Sequence, residues 1–305
     1  GKGRERRTEI RNFDNISAVA VAANNEKLYV NKEESFICTS AGLKKEQNKD
    51  AYTFVSDCSD LDDIIVFREN GTFMVTKLQP KCFVGPEKII HADVFHKNDD
   101  RTVYNMVYRS GKAGSPYYVK RFSVKGITHD KDYDLTMGEP GSKVVYFSAN
   151  PNGEAEVIKV MLRPQPKLKK TSFDYNFAEL AIKGRASRGN RLTQHPINKI
   201  VKRDDGVSTL AAREIWYDDT VKRLNADKRG TLIGEFSGDD KILQIYSNGE
   251  FRLTNYDLST HFDDDMTQIM KFEPNTVFSV IYIEGETKLM YIKRFMIEED
   301  TPLNR

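Results

Sequence analysis

Tryptophan, cysteine and histidine are scarce in this chain of 305 residues, which contains one Trp, three Cys and five His. The cysteines Cys38, Cys58 and Cys82 are odd in number and lie too far apart for a C-x-x-C metal or redox motif. They favour a reduced, cytosolic setting over a disulfide framework. His91 and His96 are five residues apart, so on a strand they lie on opposite faces, which argues against a shared metal ion.

Long apolar runs and catalytic motifs are also absent from the sequence. The longest apolar run, at 18–23, is far shorter than a membrane span, and no signal peptide is visible. No G-x-S-x-G, P-loop, H-E-x-x-H or Rossmann glycine pattern occurs. The Asp runs at 62–63, 239–240 and 263–265 are interpreted as turn formers rather than cation ligands. We therefore expect no catalytic residue, no metal site and no cofactor in this chain.

Positive charge is concentrated in one part of the sequence. The whole chain carries only +2, but residues 163–203 contain eleven Lys and Arg against two Asp and Glu, a local charge of +9. The rest of the chain then carries −7, so the charge is strongly polarised. Such a distribution indicates an anionic partner.

Several segments of the chain recur in the same order. The first recurring pair shares an Asn-Gly dipeptide between two alternating apolar runs, and the others share the patterns TV-x-x-x-x-Y and Y-x-KRF. The matching segments are 62–76 with 240–254, 102–108 with 276–282, and 118–122 with 291–295. Ordered recurrence of this kind predicts a repeat architecture.

Each recurring unit has the pattern of a β-hairpin. Asn70-Gly71 and Asn248-Gly249 favour tight type I′ turns, in which both central residues have positive φ. Looser hairpins are predicted at 109–115, 150–153 and 284–286, and further strand pairs at 27–39 and 214–225.

Short strands at regular spacing predict an all-β fold in which small sheets repeat radially as a closed disc. We expect one domain, 1–305, with about six four-stranded units. The approximate boundaries are 1–60, 61–101, 102–154, 155–205, 206–238 and 239–305. The last interval is long enough for two half-units that close against the N-terminus. The chain begins without Met and ends at Arg305, and we expect it to be part of a longer protein.

The segment 183–192, KGRASRGNRL, is the strongest candidate for binding an anion. Two glycines allow close backbone approach, and Arg side chains offer forked donors that match phosphate oxygens. Other basic residues lie nearby or at repeat-equivalent places, where radial repetition would line them along one rim. The candidate DNA-binding residues are Lys183, Arg185, Arg188, Arg191, Lys120, Arg121, Lys199, Lys202, Arg203, Lys222, Arg223, Lys293 and Arg294.

Three classes of function remain open on these observations. A polyanion-binding rim would track a nucleic acid backbone without reading bases, because no recognition helix or zinc finger is apparent. A protein-interaction scaffold would need an exposed aromatic patch, for which Tyr117, Tyr118 and Trp216 are the candidates. A propeller hydrolase would need acidic residues grouped at a central channel, but the Asp runs stand at strand starts.

The repeated DDxIIxFxxNG hairpin and the GRASRGN segment at 184–190 resemble the C-terminal domain of the A subunit of bacterial type IIA topoisomerases, found in DNA gyrase and topoisomerase IV. The segments 150–160, 177–190 and 225–243 are most similar to the Bacteroidetes type. The resemblance extends over essentially the whole chain. It implies a β-pinwheel, a closed disc of propeller-like blades that exchange strands with their neighbours and bend double-stranded DNA around a basic outer edge.

The resemblance also implies partners and a division of labour. Cleavage belongs to the N-terminal region of the A subunit, and ATP hydrolysis with Mg²⁺ belongs to the B subunit, in a bacterial, cytoplasmic, nucleoid-associated enzyme. This chain would be non-catalytic. The seven-residue basic box of gyrase has no intact copy here, since GKGRERR at 1–7 has its composition but not its order. This departure favours topoisomerase IV-like decatenation and relaxation over gyrase-type wrapping for negative supercoiling.

Overall fold

The computed structural model describes residues 25–298, apart from residues 98, 167, 239 and 259, and this part of the chain is almost entirely β. The first twelve strands are β1 (Glu26–Asn31), β2 (Phe36–Cys38), β3 (Thr53–Cys58), β4 (Asp63–Arg68), β5 (Thr72–Lys77), β6 (Lys81–Phe83), β7 (Ile89–Phe95), β8 (Val103–Arg109), β9 (Tyr117–Ser123), β10 (Tyr133–Asp134), β11 (Lys143–Asn150) and β12 (Val157–Leu162). The remaining strands are β13 (Ser172–Asn176), β14 (Lys183–Gly184), β15 (Asn190–Thr193), β16 (Ile197–Asp204), β17 (Arg213–Asp218), β18 (Arg223–Asn225), β19 (Thr231–Phe236), β20 (Ile242–Tyr246), β21 (Phe251–Thr254), β22 (Met266–Lys271), β23 (Val277–Ile283) and β24 (Met290–Met296).

Helical structure is limited to short segments in the described ranges. One helix, α1 (Ser40–Lys44), follows β2, and its N-cap Thr39 accepts a hydrogen bond from the backbone N–H of Gly42. Two 3₁₀ turns span Lys49–Ala51 and Phe177–Glu179. None of these helical segments has the length or the apolar character that crossing a membrane requires.

The strands of the described ranges form seven small sheets, numbered from the N-terminus. The strand orders are β3-β1-β2-β6 (sheet 1), β10-β5-β4-β7 (sheet 2), β11-β8-β9-β14 with β15 also on β9 (sheet 3), β13-β12-β16 (sheet 4), β18-β17-β19 (sheet 5), β21-β20-β22 (sheet 6) and β23-β24 (sheet 7). The expected all-β array of small sheets is therefore confirmed. About six four-stranded units were expected, and the described ranges form seven sheets of two to five strands, because the strands between Ile242 and Met296 form two sheets.

Neighbouring repeats exchange strands, as the family resemblance implied. In sheets 1, 2 and 3 the first strand of the repeat lies between the second and the third, and the second strand also pairs with one or two strands from the repeat that follows. β6 pairs with β2, β10 pairs with β5, and both β14 and β15 pair with β9. Each donated strand lies in the connection between the second and third strands of its own repeat. Each of these three sheets is therefore complete only when the next repeat is folded.

Apolar clusters hold consecutive sheets together. Phe67 of sheet 2 packs against Tyr104 and Phe122 of sheet 3, with ring centroids 4.7 and 6.5 Å apart. Comparable clusters join sheets 1 and 2, 3 and 4, 5 and 6, and 6 and 7. Both faces of β4 and β8 are buried, which explains why their apolar residues run almost without interruption instead of alternating with polar ones.

A buried carboxylate joins sheet 3 to the start of sheet 4. Glu156, 1% exposed, lies just before β12. Its carboxylate accepts hydrogen bonds from Asn105 Nδ2 at 3.0 Å, from Tyr146 Oη at 2.7 Å and from the hydroxyl of Ser148. Three donors from β8 and β11 therefore replace the water that Glu156 loses on folding.

The Asn-Gly turns lie where the sequence predicts them but have another geometry. Positive φ occurs only at the glycines, +86° at Gly71 and +87° at Gly249. The N–H of each glycine donates to the carbonyl three residues earlier, at Arg68 and Tyr246. This is a type I turn followed by a left-handed glycine, the usual three-residue hairpin connection, rather than the expected type I′ turn.

One expected hairpin does not form. Residues 150–153 connect β11 to β12, which belong to different sheets. The small residues there serve a turn between two repeats, which the sequence pattern alone does not distinguish from a turn within one sheet. The expected hairpins at 109–115 and 284–286 are confirmed as β8–β9 and β23–β24. The expected closure against residues 1–24 lies outside the described residues.

Candidate nucleic-acid interface

The segment 183–191, which we call the basic loop, forms the outer edge of sheet 3. β14 runs parallel to β9, with Lys183 opposite Phe122, and β15 runs antiparallel to it, with Asn190 opposite Val119. Both ends of the loop are thus paired with the same strand. The loop therefore runs along the edge of β9 and is tethered to it at both ends.

Two buried side chains hold the backbone of the basic loop from below. Lys120 Nζ donates to the carbonyl of Arg185 at 2.7 Å and to the carbonyl of Leu135 at 3.0 Å. Tyr108 Oη donates to the carbonyl of Arg188 at 2.8 Å. Two carbonyl groups of the loop therefore point inward.

Arg185 ties the basic loop to the connection between β9 and β10. Its guanidinium donates to the carbonyls of Lys125 and Gly126, the second at 3.1 Å, and lies 4.5 Å from the centre of the Tyr133 ring. The side chain is half-buried. The Arg185 guanidinium therefore donates mainly to the backbone that supports the loop, and few of its N–H groups remain for a phosphate.

Lys183, Arg188 and Arg191 point their charge to solvent. All three side chains are exposed, and no carboxylate in the described ranges pairs with them. The Arg188 guanidinium lies 5.7 Å from the Tyr118 ring centre, a cation–π distance that limits its freedom. These three cations on one sheet edge form the most concentrated uncompensated positive charge of the loop.

Basic residues of β16 continue the positive surface into sheet 4. Lys199, Lys202 and Arg203 are exposed on this edge strand, which begins shortly after β15 ends. Lys202 forms an ion pair with Asp205, and this hydrogen bond raises the pKa of the Lys202 ammonium. Lys199 and Arg203 are therefore more available than Lys202 for binding an anion.

Lys120 and Arg121 are not surface residues, and their expected contact with DNA is wrong. They are 1% and 2% exposed. Burial lowers the pKa of Lys120 to about 8, with the nearby Asp134 acting in the opposite direction. Arg121 Nη2 donates to the carbonyl of Gly153 at 2.6 Å, and burial lowers its pKa as well. Both cations serve the interior of sheet 3.

The two equivalent positions in the last hairpin are exposed instead of buried. β23–β24 repeats the register of β8–β9, so that Lys293 and Arg294 stand where Lys120 and Arg121 stand. Lys293 and Arg294 are exposed. The difference arises because β14 and β15 cover β9, whereas no strand of the described ranges covers β24. Lys293 and Arg294 remain candidates for anion contact.

Lys222 and Arg223 are less available than the sequence suggested. Lys222 pairs with Asp219 at 2.7 Å. Arg223 lies half-buried on β18, where burial lowers its pKa and an isolated bridge joins it to His261. Their expected role on a common rim stays a prediction.

Three aromatic residues support the basic loop, of which the sequence analysis missed Tyr108 and Tyr133 and assigned Tyr118 to a protein-interaction patch. Tyr108 bonds the loop backbone, while Tyr118 and Tyr133 lie beside the guanidinium groups of Arg188 and Arg185. These contacts depend on strands of one repeat that pair with the preceding sheet, and no local pattern reports that pairing. In the described ranges no three His, Cys, Asp or Glu side chains are grouped as a metal site would require.

Comparison with known proteins identifies the family of the chain. The family model described as the topoisomerase C-terminal domain of Bacteroidota matches residues 27–204 and 223–304. The chain belongs to this family. The topoisomerase C-terminal domain inferred from the hairpin motif and from GRASRGN is thereby confirmed, including its Bacteroidota type.

Individual relatives of this topoisomerase C-terminal domain agree with the family assignment. The A subunit of DNA topoisomerase 4 from Borreliella burgdorferi is 27% identical over 199 residues, which cover 65% of this chain and 28% of that protein. The chain thus spans little more than a quarter of that relative's length.

Two solved structures are also similar. The crystal structure of the C-terminal domain of DNA topoisomerase IV aligns with a TM-score of 0.42 and 11% identity, covering 82% of this chain and 94% of that one. The structure of the DNA gyrase A C-terminal domain aligns with a TM-score of 0.27 and 12% identity, covering 81% and 99%.

Proposed function

We propose that this domain binds and bends double-stranded DNA for a type IIA topoisomerase and performs no chemistry itself. The observation that carries the proposal is the tethered basic loop, which holds Lys183, Arg188 and Arg191 exposed on one sheet edge. Family membership supplies the context, since the parent proteins act on DNA topology. The domain would present a DNA segment for strand passage.

Contact through phosphates rather than bases follows from the donors available. Lys and Arg side chains on strand edges reach backbone oxygens without entering a groove, so binding would be independent of sequence and would release counterions. Lys199 and Arg203 on β16 extend the same surface, so a duplex that follows it would bend. Lys293 and Arg294 on β24 would offer a second contact region.

The partners and setting of the parent enzyme belong to the same proposal. We infer that the domain works beside the N-terminal cleavage region of its own subunit and the ATPase B subunit, in the bacterial cytoplasm at the nucleoid. ATP and Mg²⁺ would be bound by those other regions. The domain itself would need no cofactor.

Topoisomerase IV-like decatenation and relaxation are favoured over gyrase-type supercoiling. The basis is the basic loop itself, GRASRGN, which is not an intact gyrase-type box, while GKGRERR at 1–7 lies outside the described residues. Ligation of nicked circular DNA in the presence of the domain separates the two. Bending alone leaves the linking number unchanged, whereas gyrase-type wrapping shifts it.

The alternative of a protein-interaction scaffold loses the residues on which it rested. Tyr117 is buried at 7% exposure, Tyr118 stacks on Tyr108 at 5.8 Å, and Trp216 is half-buried. None of them forms an exposed aromatic patch.

The decisive experiment measures the affinity of the domain for short duplexes of two unrelated sequences over a range of salt concentrations. We expect the logarithm of the binding constant to fall steeply with the logarithm of the salt concentration, with the same slope for both sequences. Replacing Lys183, Arg188 and Arg191 with alanine should flatten the slope by up to about 3, because each cation removed from a phosphate releases one counterion fewer. Arg185 is left intact, because its removal would also release the loop.

The matched control replaces three exposed lysines between β2 and β3 with alanine: Lys44 of α1, its C-cap Lys45, and Lys49 of the first 3₁₀ turn. It changes the net charge equally, so it separates local contact from overall charge. Weak binding by the unmodified domain at low salt, or the same flattening in the control, would refute the proposed interface.

A further inference from the structure

The strand β9 carries a lysine that is buried under the candidate DNA-binding surface. Lys120 is 1% exposed, and its ammonium lies 4.9 Å from the centre of the Phe122 ring. No carboxylate in the described ranges forms an ion pair with it, and its ammonium donates instead to two carbonyl groups. Burying an ammonium without an ion pair costs free energy, and here only its hydrogen bonds offset that cost. The question is therefore what those hydrogen bonds achieve that an apolar side chain could not.

The two bonds of Lys120 join the basic loop to the core of sheet 3. One acceptor, the carbonyl of Leu135, belongs to a buried residue of the cluster between sheets 2 and 3. The other acceptor, the carbonyl of Arg185, belongs to the loop. Lys120 thus fixes the loop to a rigid part of the molecule.

The direction of these carbonyls sets the direction of the next amides. A trans peptide is planar, so its C=O and the N–H of the following residue point in opposite directions. With the Arg185 carbonyl held inward by Lys120, the N–H of Ala186 points outward. With the Arg188 carbonyl held inward by Tyr108, the N–H of Gly189 is likewise turned away from the interior. Outward amides beside cationic side chains are a phosphate-binding arrangement.

We propose that Lys120 is a positioning residue for DNA binding, which together with Tyr108 turns two loop carbonyls inward so that the loop presents its amides and its Arg side chains to a phosphate. This inference rests on the proposed function. It assigns Lys120 a role without contact to DNA, in place of the direct contact that its sequence position suggested.

A positioning role differs from a contact role in the salt dependence of binding. A residue that touches phosphate contributes a released counterion, so its removal flattens the salt slope by about 1. A residue that only arranges other donors leaves the number of contacts unchanged. Lys120→Met keeps an unbranched apolar stem of similar length in the buried space and removes both hydrogen bonds.

The experiment compares the whole chain with its Lys120→Met and Tyr108→Phe variants in duplex titrations over a range of salt concentrations. Both variants should bind about tenfold more weakly at a given salt concentration, with an unchanged salt slope. Tenfold is the scale of one lost charge-assisted hydrogen bond between a loop amide and a phosphate. Tyr108→Phe deletes one oxygen atom, so it keeps the inference testable if Lys120→Met folds poorly. Arg188→Ala is the contact reference and should flatten the slope.

Hydrogen exchange of the amides at 184–190 provides a readout independent of DNA. Exchange should be faster in Lys120→Met and unchanged in Lys293→Met, the same substitution at the repeat-equivalent position on β24. Unchanged affinity in both variants, or a slope flattened as in Arg188→Ala, would overturn the positioning role while DNA binding stands. Failure of the unmodified chain to bind would instead remove the proposed function.

Discussion

Replacing Gly189 with alanine tests whether the basic loop must lie directly on β9. Gly189 has a φ of +86°, a left-handed conformation that costs a residue with a Cβ about 1 kcal/mol or more. A Cβ at this position would stand 2.3 Å from the carbonyl oxygen of Val119 and 2.7 Å from the Cβ of Lys120. The oxygen belongs to a central strand of sheet 3, so it cannot rotate away.

The loop must therefore lift from β9 by about 1 Å to restore an ordinary contact distance. That movement stretches the pairing of Asn190 with Val119 and adds the loss of about one hydrogen bond, roughly 1 kcal/mol. Together with the backbone strain we expect a destabilisation of about 2–3 kcal/mol, which lowers the melting temperature by about 3–5 °C. Binding of DNA should weaken as well, because Arg188 and Arg191 move with the loop.

The matched control is Gly184→Ala in the same loop. Gly184 has ordinary backbone angles and is exposed, and no atom lies within 4 Å of the place that a Cβ would take. We expect a change within about 0.5 kcal/mol. Thermal unfolding of the two variants, followed by duplex titration, decides the matter. Equal melting temperatures for the two variants would show that the loop is not seated on β9.

Three further predictions concern stability. Burial lowers the pKa of His91 to about 4, so the unfolded chain binds a proton that the folded chain rejects. The free energy of unfolding should fall by up to about 3 kcal/mol as pH drops from 6.5 toward 4. In urea unfolding measured at a series of pH values, His91→Gln should make the free energy of unfolding less dependent on pH in this range. Gly71→Val should cost more than Gly249→Val in thermal unfolding, because only Gly71 has a neighbour, Thr136 Cγ2 at 2.2 Å, in the way of a Cβ. A reversed order would contradict the turn geometry. Glu156→Ala leaves one buried and two half-buried donors without their acceptor and should cost about 3 kcal/mol in urea unfolding, against a negligible change for the exposed Glu179→Gln.

Local features of the fold were predictable because they depend on neighbouring residues. The Asn-Gly turns lie at the expected positions, and the recurrence of TVYNMVY in TVFSVIY corresponds to an identical register in β8–β9 and β23–β24. The turn type was wrong because the side chain of Asn70 accepts a hydrogen bond from the N–H of Thr72, which stabilises a negative φ at the asparagine. Asn248 does the same for Glu250.

The candidate site was predictable only in part. The composition of 183–191 pointed to an anion-binding loop, and Lys183, Arg188 and Arg191 are exposed as such a loop requires. Sequence reasoning then treated the basic pairs of β9 and β24 as equivalent. They differ because a strand from the following repeat covers β9, and pairing over such a distance leaves no trace in a short window of sequence. The supporting residues Tyr108 and Lys120 were missed or misread for the same reason.

Exchange of strands also limits how the molecule can be dissected. A cut between residues 154 and 155 follows the end of β11 and respects the sequence repeats, but it removes β14 and β15 from sheet 3. In the truncated piece β9 would be an edge strand, and Lys120 would lose its hydrogen bond to the carbonyl of Arg185. The shortest N-terminal piece that keeps sheet 3 whole must run to Thr193, the last residue of β15, and it then carries part of a repeat whose own sheet it cannot finish. Boundaries drawn from sequence similarity and boundaries drawn for a stable fragment therefore fall at different residues in this chain.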